Sequence, residues 1–123
     1  MGAVVAMAKY TLYYDPKTSA FGARVMLDEL GVSYDLVRVD TSIRAHDTPD
    51  FRKINPSMLL PTLGLQDGRT FGENGAIILM LGELNPQSGM VPRIDEADRS
   101  FFLHWLFALA TTGHTTIRRY SYP

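Results

Sequence analysis

Cysteine is absent from all 123 residues, which removes disulfides, thiolate metal sites and any Cys-x-x-Cys redox centre. Thiol chemistry on this chain must therefore use a thiol brought by a ligand, and no metal ligand set is assigned. An excess of one charge is also missing: 12 Lys and Arg against 13 Asp and Glu leave a net charge of −1. With no long basic run, nucleic acid and an anionic membrane are not the expected partners. No apolar run is long enough to span a bilayer, so no membrane role is expected. Residues 1–8 are apolar but short and carry no basic leader. They read as a flexible extension, with Met7 as an alternative start, rather than a signal peptide, and the default location is cytoplasmic. The 46% of hydrophobic residues suits one small globular domain plus a piece of another.

The chain is organised around Asn55-Pro56-Ser57-Met58-Leu59-Leu60-Pro61-Thr62-Leu63, followed by Glu73-Asn74-Gly75-Ala76-Ile77. The backbone turns at Pro56, runs extended to Leu60 and enters a strand at Pro61, which cannot donate to the ladder. A cis Leu60-Pro61 bond would turn the amide and carbonyl of Leu60 outward, towards an extended peptide-like ligand. Ahead of this stretch, residues 9–14 alternate as a strand, and Asp15-Pro16-Lys17-Thr18-Ser19 supplies a turn. Phe21, Val25, Met26 and Leu30 fall at helical spacing until Gly31. Residues 32–39 form a second strand, and so short a β-α-β unit predicts parallel pairing. Residues 40–53 read as a loop with at most one helical turn around 50–54. Residues 60–66, the Asp67-Gly68 turn and residues 69–72 predict a hairpin, and residues 76–84 a helix closed by Asn85-Pro86. After a linker at 87–94, one long helix is expected from 95 to about 112, with an apolar face of Phe101, Phe102, Trp105, Leu106 and Leu109 too wide for packing on one side.

In this order of elements, and in its Asn-Pro turn, second proline and Glu73-Asn74 pair, the chain resembles the glutathione S-transferase family. The resemblance implies an α/β fold: a thioredoxin-like βαβ-ββα domain over residues 9–86, followed from residue 95 to 123 by the first helix of a truncated all-α domain. It implies glutathione as co-substrate, a small electrophilic substrate, conjugation or a related lyase or isomerase reaction, and a homodimer. A non-catalytic glutathione-binding or assembly module of the same fold is the alternative.

By the same resemblance, Leu59, Leu60 and Pro61 border the tripeptide, Glu73 receives its ammonium and Asn74 its γ-glutamyl carboxylate. His46, with Lys53 nearby, takes the glycine carboxylate. Asn74 stands where the family has Ser, Met58 where a glycine is common, and Leu59 where a polar residue is common. Without the family pattern, Asn74 is simply an N-cap and Glu73 a first-turn acid. Activation would come from Ser19 first, Tyr14 second or Thr18, each matching the activating residue of a different class. A thiol has a reference pKa of about 8.5, and a charge-assisted hydrogen bond of about 1.5–3 kcal/mol is enough to matter at neutral pH. For Ser19 and Thr18 the structural reading is an N-cap, and for Tyr14 it is strand packing.

Overall fold

A computed structural model describes residues 8–121. The expected extension therefore lies, apart from Ala8, outside the described residues. Packing divides the chain into two compact units, residues 1–77 and 78–123.

The first unit is a four-stranded sheet of order β2-β1-β3-β4, with one parallel and two antiparallel pairs around a buried centre. β1 (Tyr10–Tyr14) and β2 (Tyr34–Arg38) run parallel, with Tyr10 opposite Tyr34 and Tyr14 opposite Arg38. β3 (Thr62–Leu65) runs antiparallel to β1, pairing Tyr13 with Thr62, and β4 (Thr70–Gly72) returns beside it. Alternation of side chains puts Tyr10 and Leu12 of β1 inward, where both are buried. The hairpin closes through Gly68, whose φ of 90° suits a residue without Cβ. The strands are shorter than the periodicity predicts.

The crossover helix α1 (Ala20–Leu30) ends as expected at Gly31, which has a φ of 65° and donates its N–H to the Asp28 carbonyl. Its inward face keeps Met26 of the expected positions and half-buries Leu30, but turns Phe21 and Val25 outward. Ala20, Ala23, Met26 and Leu27 are buried, while Phe21 is 76% exposed and Val25 41%. Small alanines at i, i+3 allow close approach and take the core stripe in place of the bulkier residues. Residues 40–53 are more ordered than a loop. Asp40 caps a single 3-10 turn, Thr41–Ile43, accepting the Ser42 N–H. Thr48 caps α2 (Pro49–Ile54) by accepting the Phe51 N–H at 3.2 Å, with Pro49 in the first turn and Asp50 favourably near the positive end. Phe51 is buried and meets Tyr13 edge to face.

Helix α3 (Asn74–Leu84) starts two residues earlier than expected and carries the boundary between the units. In the second unit, a 3-10 turn (Pro86–Ser88) precedes a segment pinned by Arg99, which donates to the Pro92 carbonyl at 2.9 Å and pairs with Glu83 at 2.8 Å. The expected long helix begins at Arg99 rather than 95, since Arg93 draws Asp95 and Glu96 back into ion pairs and the backbone there makes separate turns. α4 (Arg99–Phe107) then runs through a π-helical stretch (Ala108–Gly113) into α5 (His114–Ser121). The wider turn falls at Thr111, Thr112 and Gly113, poor helix formers, and the Thr111 hydroxyl donates back to the Phe107 carbonyl at 2.7 Å.

Candidate functional site

The carboxyl end of β1, the amino end of β3 and the amino ends of α1 and α3 carry the expected site residues other than His46 and Lys53, which lie just before α2 and on it. Two clusters of hydrogen bonds join several of these elements. In the first, Asn55 is buried and uses every hydrogen-bonding position of its side chain. Its Nδ2 donates to the Leu59 carbonyl at 3.1 Å and to Thr62 Oγ1 at 2.9 Å. Its Oδ1 accepts from Ser57 N–H at 3.0 Å and Ser57 Oγ at 2.6 Å. Thr62, fully buried, donates its hydroxyl to the same Leu59 carbonyl at 3.0 Å. The Leu60-Pro61 bond that follows is cis, and Pro61 is buried. The turn, loop and cap hydrogen bonds between main-chain groups use neither the amide nor the carbonyl of Leu60.

In the second cluster, Asn74 Nδ2 donates to the Ser19 carbonyl at 2.7 Å, joining the start of α3 to the start of α1. Gly22 leaves room for it, since a Cβ there would stand 3.1 Å from Asn74 Nδ2. Asn74 is accordingly the first helical residue and not the N-cap: Glu73 precedes the helix, with a φ of 68°, and its carbonyl accepts the Ile77 N–H. The amide reaches sideways to α1 because its side chain is one group longer than serine's. Residues 72–74 touch both clusters, since a Cβ on Gly72 would lie 2.9 Å from Asn55 Nδ2.

The three hydroxyls differ in how far they are committed. Thr18 Oγ1 donates to the Asp15 carbonyl at 2.7 Å and accepts the Ala20 N–H at 3.4 Å, which makes it a structural cap. Ser19, half-buried at the N-cap of α1, makes no side-chain capping bond. Tyr14 is half-buried, with the Arg24 guanidinium 5.9 Å from its ring centre. Asp15, which the sequence marks only as a turn residue, is buried. Its Oδ2 accepts from the Thr41 N–H at 2.7 Å and the Thr41 hydroxyl at 2.5 Å. The Thr41 hydroxyl and amide hold its carboxyl below the usual value, with Arg38 3.9 Å away adding to the effect. It thus ties the loop bearing Thr18 and Ser19 to the 3-10 turn.

His46 is half-buried with Nδ1 making no hydrogen bond, and Lys53 is exposed, 3.8 Å from Asp50. Among the described hydrogen bonds and ion pairs, neither meets Leu60, Glu73 or Asn74. Met58 takes a φ of 54°, the left-handed conformation that explains why glycine is common there, and Leu59 is 45% exposed. No group of metal-binding side chains occurs among the described residues, and no helix there is long and apolar enough to cross a membrane. A hollow of about 150 Å³ beside Lys9, Tyr10, Asp35 and Leu65 lies at the opposite end of β1 and is too small for a tripeptide. Asn55, Thr62, Gly72 and Asp15 are the residues that sequence reasoning misses. The Asn-Pro pair signals the turn, but nothing local reveals which carbonyl the Asn side chain holds.

Residues 19–84 match the family model for the glutathione S-transferase N-terminal domain. The chain is 31% identical over 112 residues to the transcriptional regulator URE2 of Saccharomyces cerevisiae, covering 85% of this chain and 31% of that one. It is 29% identical over 104 residues to the glutathione S-transferase GstA of Escherichia coli O157:H7, covering 84% of this chain and 52% of that one. A solved glutathione transferase homologue from Sulfitobacter with bound glutathione superposes with a TM-score of 0.83 at 29% identity, over 91% of this chain and 53% of that one. The chain thus spans between a third and about half the length of these relatives, and its thioredoxin-like sheet with the helices that follow places it in the glutathione S-transferase family.

Proposed function

We propose that this protein binds glutathione along Leu60 and at the start of α3, and stabilises its thiolate for attack on a small electrophile. The observation that carries the reading is the Leu60 main chain. A segment outside the sheet whose amide and carbonyl are left out of the fold's own turn and loop bonds, close to the amino end of an eleven-residue helix, suits a peptide bearing a carboxylate. Pro61 shapes that edge, Leu59 borders it and Glu73 takes the ammonium. Asn74 has one amide hydrogen on Ser19 and offers the other, with the α3 amides, to the γ-glutamyl carboxylate. His46 and Lys53 supply cations for the glycine end. Ser19 carries the activation because its hydroxyl is not spent on capping, with Tyr14 next and Thr18, already committed to Asp15, last. The same reading includes a homodimer and a cytoplasmic setting.

Turnover with a generic aromatic electrophile tests it. Ser19→Ala is expected to lower kcat by roughly ten- to a hundredfold, the value of one charge-assisted hydrogen bond, with little change in glutathione affinity. An unchanged kcat in both Ser19→Ala and Tyr14→Phe would remove both hydroxyls from the mechanism. A second reading, a binding module without turnover, is favoured by the similarity to a transcriptional regulator and by the Asn74 side chain bonding to Ser19. Retention on immobilised glutathione with no turnover would select it.

A further inference from the structure

We infer that Asn55 and Thr62 are positioning residues that aim the Leu60 amide at the ligand, and that residue 72 must be glycine to let them do so. The assignment rests on the glutathione-binding reading and deepens it. The Leu59 carbonyl accepts two hydrogen bonds, from Asn55 Nδ2 at 3.1 Å and Thr62 Oγ1 at 3.0 Å. Both donors are buried, and they hold that oxygen towards the interior. The Leu59-Leu60 peptide is trans, so its N–H points opposite to its C=O. Fixing the Leu59 oxygen therefore directs the Leu60 N–H away from Asn55 and Thr62, and no main-chain acceptor of the turns and loops meets it.

Asn55 is itself held on every side. Ser57 occupies both lone-pair positions of Oδ1, and Thr62 takes the second Nδ2 hydrogen at 2.9 Å. Its main-chain carbonyl also accepts the Met58 N–H at 2.9 Å, closing the turn that leads to Leu59. A side chain so fully used has one orientation. The space it occupies borders Gly72, which pairs with Thr62 in the sheet. A Cβ at Gly72 would sit 2.9 Å from Asn55 Nδ2, closer than real Cβ contacts come, so the amide would have to give way. This gives a physical reason for glycine at a position where φ does not demand it.

The test measures glutathione affinity by calorimetry and follows the Leu60 amide by nitrogen–proton correlation spectra and its exchange rate. In the wild type, glutathione should shift the Leu60 amide and slow its exchange. Thr62→Val, nearly the same shape without the hydroxyl, should weaken glutathione roughly tenfold and abolish the Leu60 response. Thr62→Ser, which keeps the hydroxyl, should stay within about twofold of the wild type and retain the response. Gly72→Ala should behave like Thr62→Val and carries the same test should the valine variant not fold. A folded Thr62→Val or Gly72→Ala protein that melts lower yet binds as tightly, with Leu60 still protected, would show that the cluster only supports the fold. Wild-type binding without any response at Leu60 would overturn the assignment alone. No wild-type binding at all would overturn the glutathione reading and this assignment with it.

Discussion

The sheet of the first unit and the last helices of the second treat their large apolar side chains differently, although Phe21 of the first unit is exposed and Leu81 of the second is wholly buried. In the first, Leu12, Leu27, Leu63 and Ile77 are wholly buried. In the helices of the second, Phe101 is 69% exposed, Trp105 62%, Leu109 64% and Ile117 66%, and none of the residues of α4 or α5 is buried. Each side chain closed off at the sheet's centre gains its transfer free energy, about 1.5–3 kcal/mol for a fully buried leucine. A helix whose aromatic residues meet water gains little of it. The candidate site lies in the first unit, and α4 and α5 contribute surface.

Substitutions can sharpen this contrast or break it. Leu63→Ala should have the largest effect, a loss of about 2–5 kcal/mol in denaturant unfolding, because it opens a cavity where β3 pairs with both β1 and β4. Asp15→Asn should cost about 2 kcal/mol by weakening the two bonds from Thr41 and leaving a buried amide poorly matched. The sign of its pH dependence is fixed: the folded state lowers the carboxyl's pKa, so the contribution is present above about pH 4 and fades as acid reaches the folded-state pKa. Acid titration of the Asn variant should show a flatter stability curve in that range. Met58→Gly should raise stability by about 0.5 kcal/mol, the left-handed penalty less glycine's added chain entropy, as read from the thermal midpoint. Trp105→Ala should fall within about 0.5 kcal/mol of the parent. As the single tryptophan, Trp105 also reports directly, and its emission should be that of a water-exposed indole. A loss of several kcal/mol at Trp105 with little at Leu63 would invert the comparison.

Much of the first unit is legible in the sequence, and the reasons are local. Alternation around Leu12 marks β1, Gly31 stops α1, and Asp67-Gly68 makes the hairpin turn. The helical turn expected around 50–54 is α2, and Thr48-Pro49-Asp50, a cap, a first-turn proline and an acid in order, marks its start. The α1 face was misread because alanines, weak in any hydrophobicity pattern, take the core position from Phe21 and Val25. The candidate site is legible where residues adjoin along the chain, as at the Leu60-Pro61 turn and the start of α3 at Glu73-Asn74. It was illegible where side chains meet across it. Asn74 reaches Ser19, Asp15 reaches Thr41 and Asn55 abuts Gly72, and each contact exists only once the sheet has formed.

The glutathione proposal turns on whether the first unit offers a peptide edge that glutathione occupies. Calorimetric titration of glutathione into the folded protein, with S-hexylglutathione in parallel, decides it. Saturable binding of glutathione at one site is expected, abolished or strongly weakened in Glu73→Gln. A folded protein giving no binding heat with either ligand would overturn the proposal and leave the fold as ancestry alone.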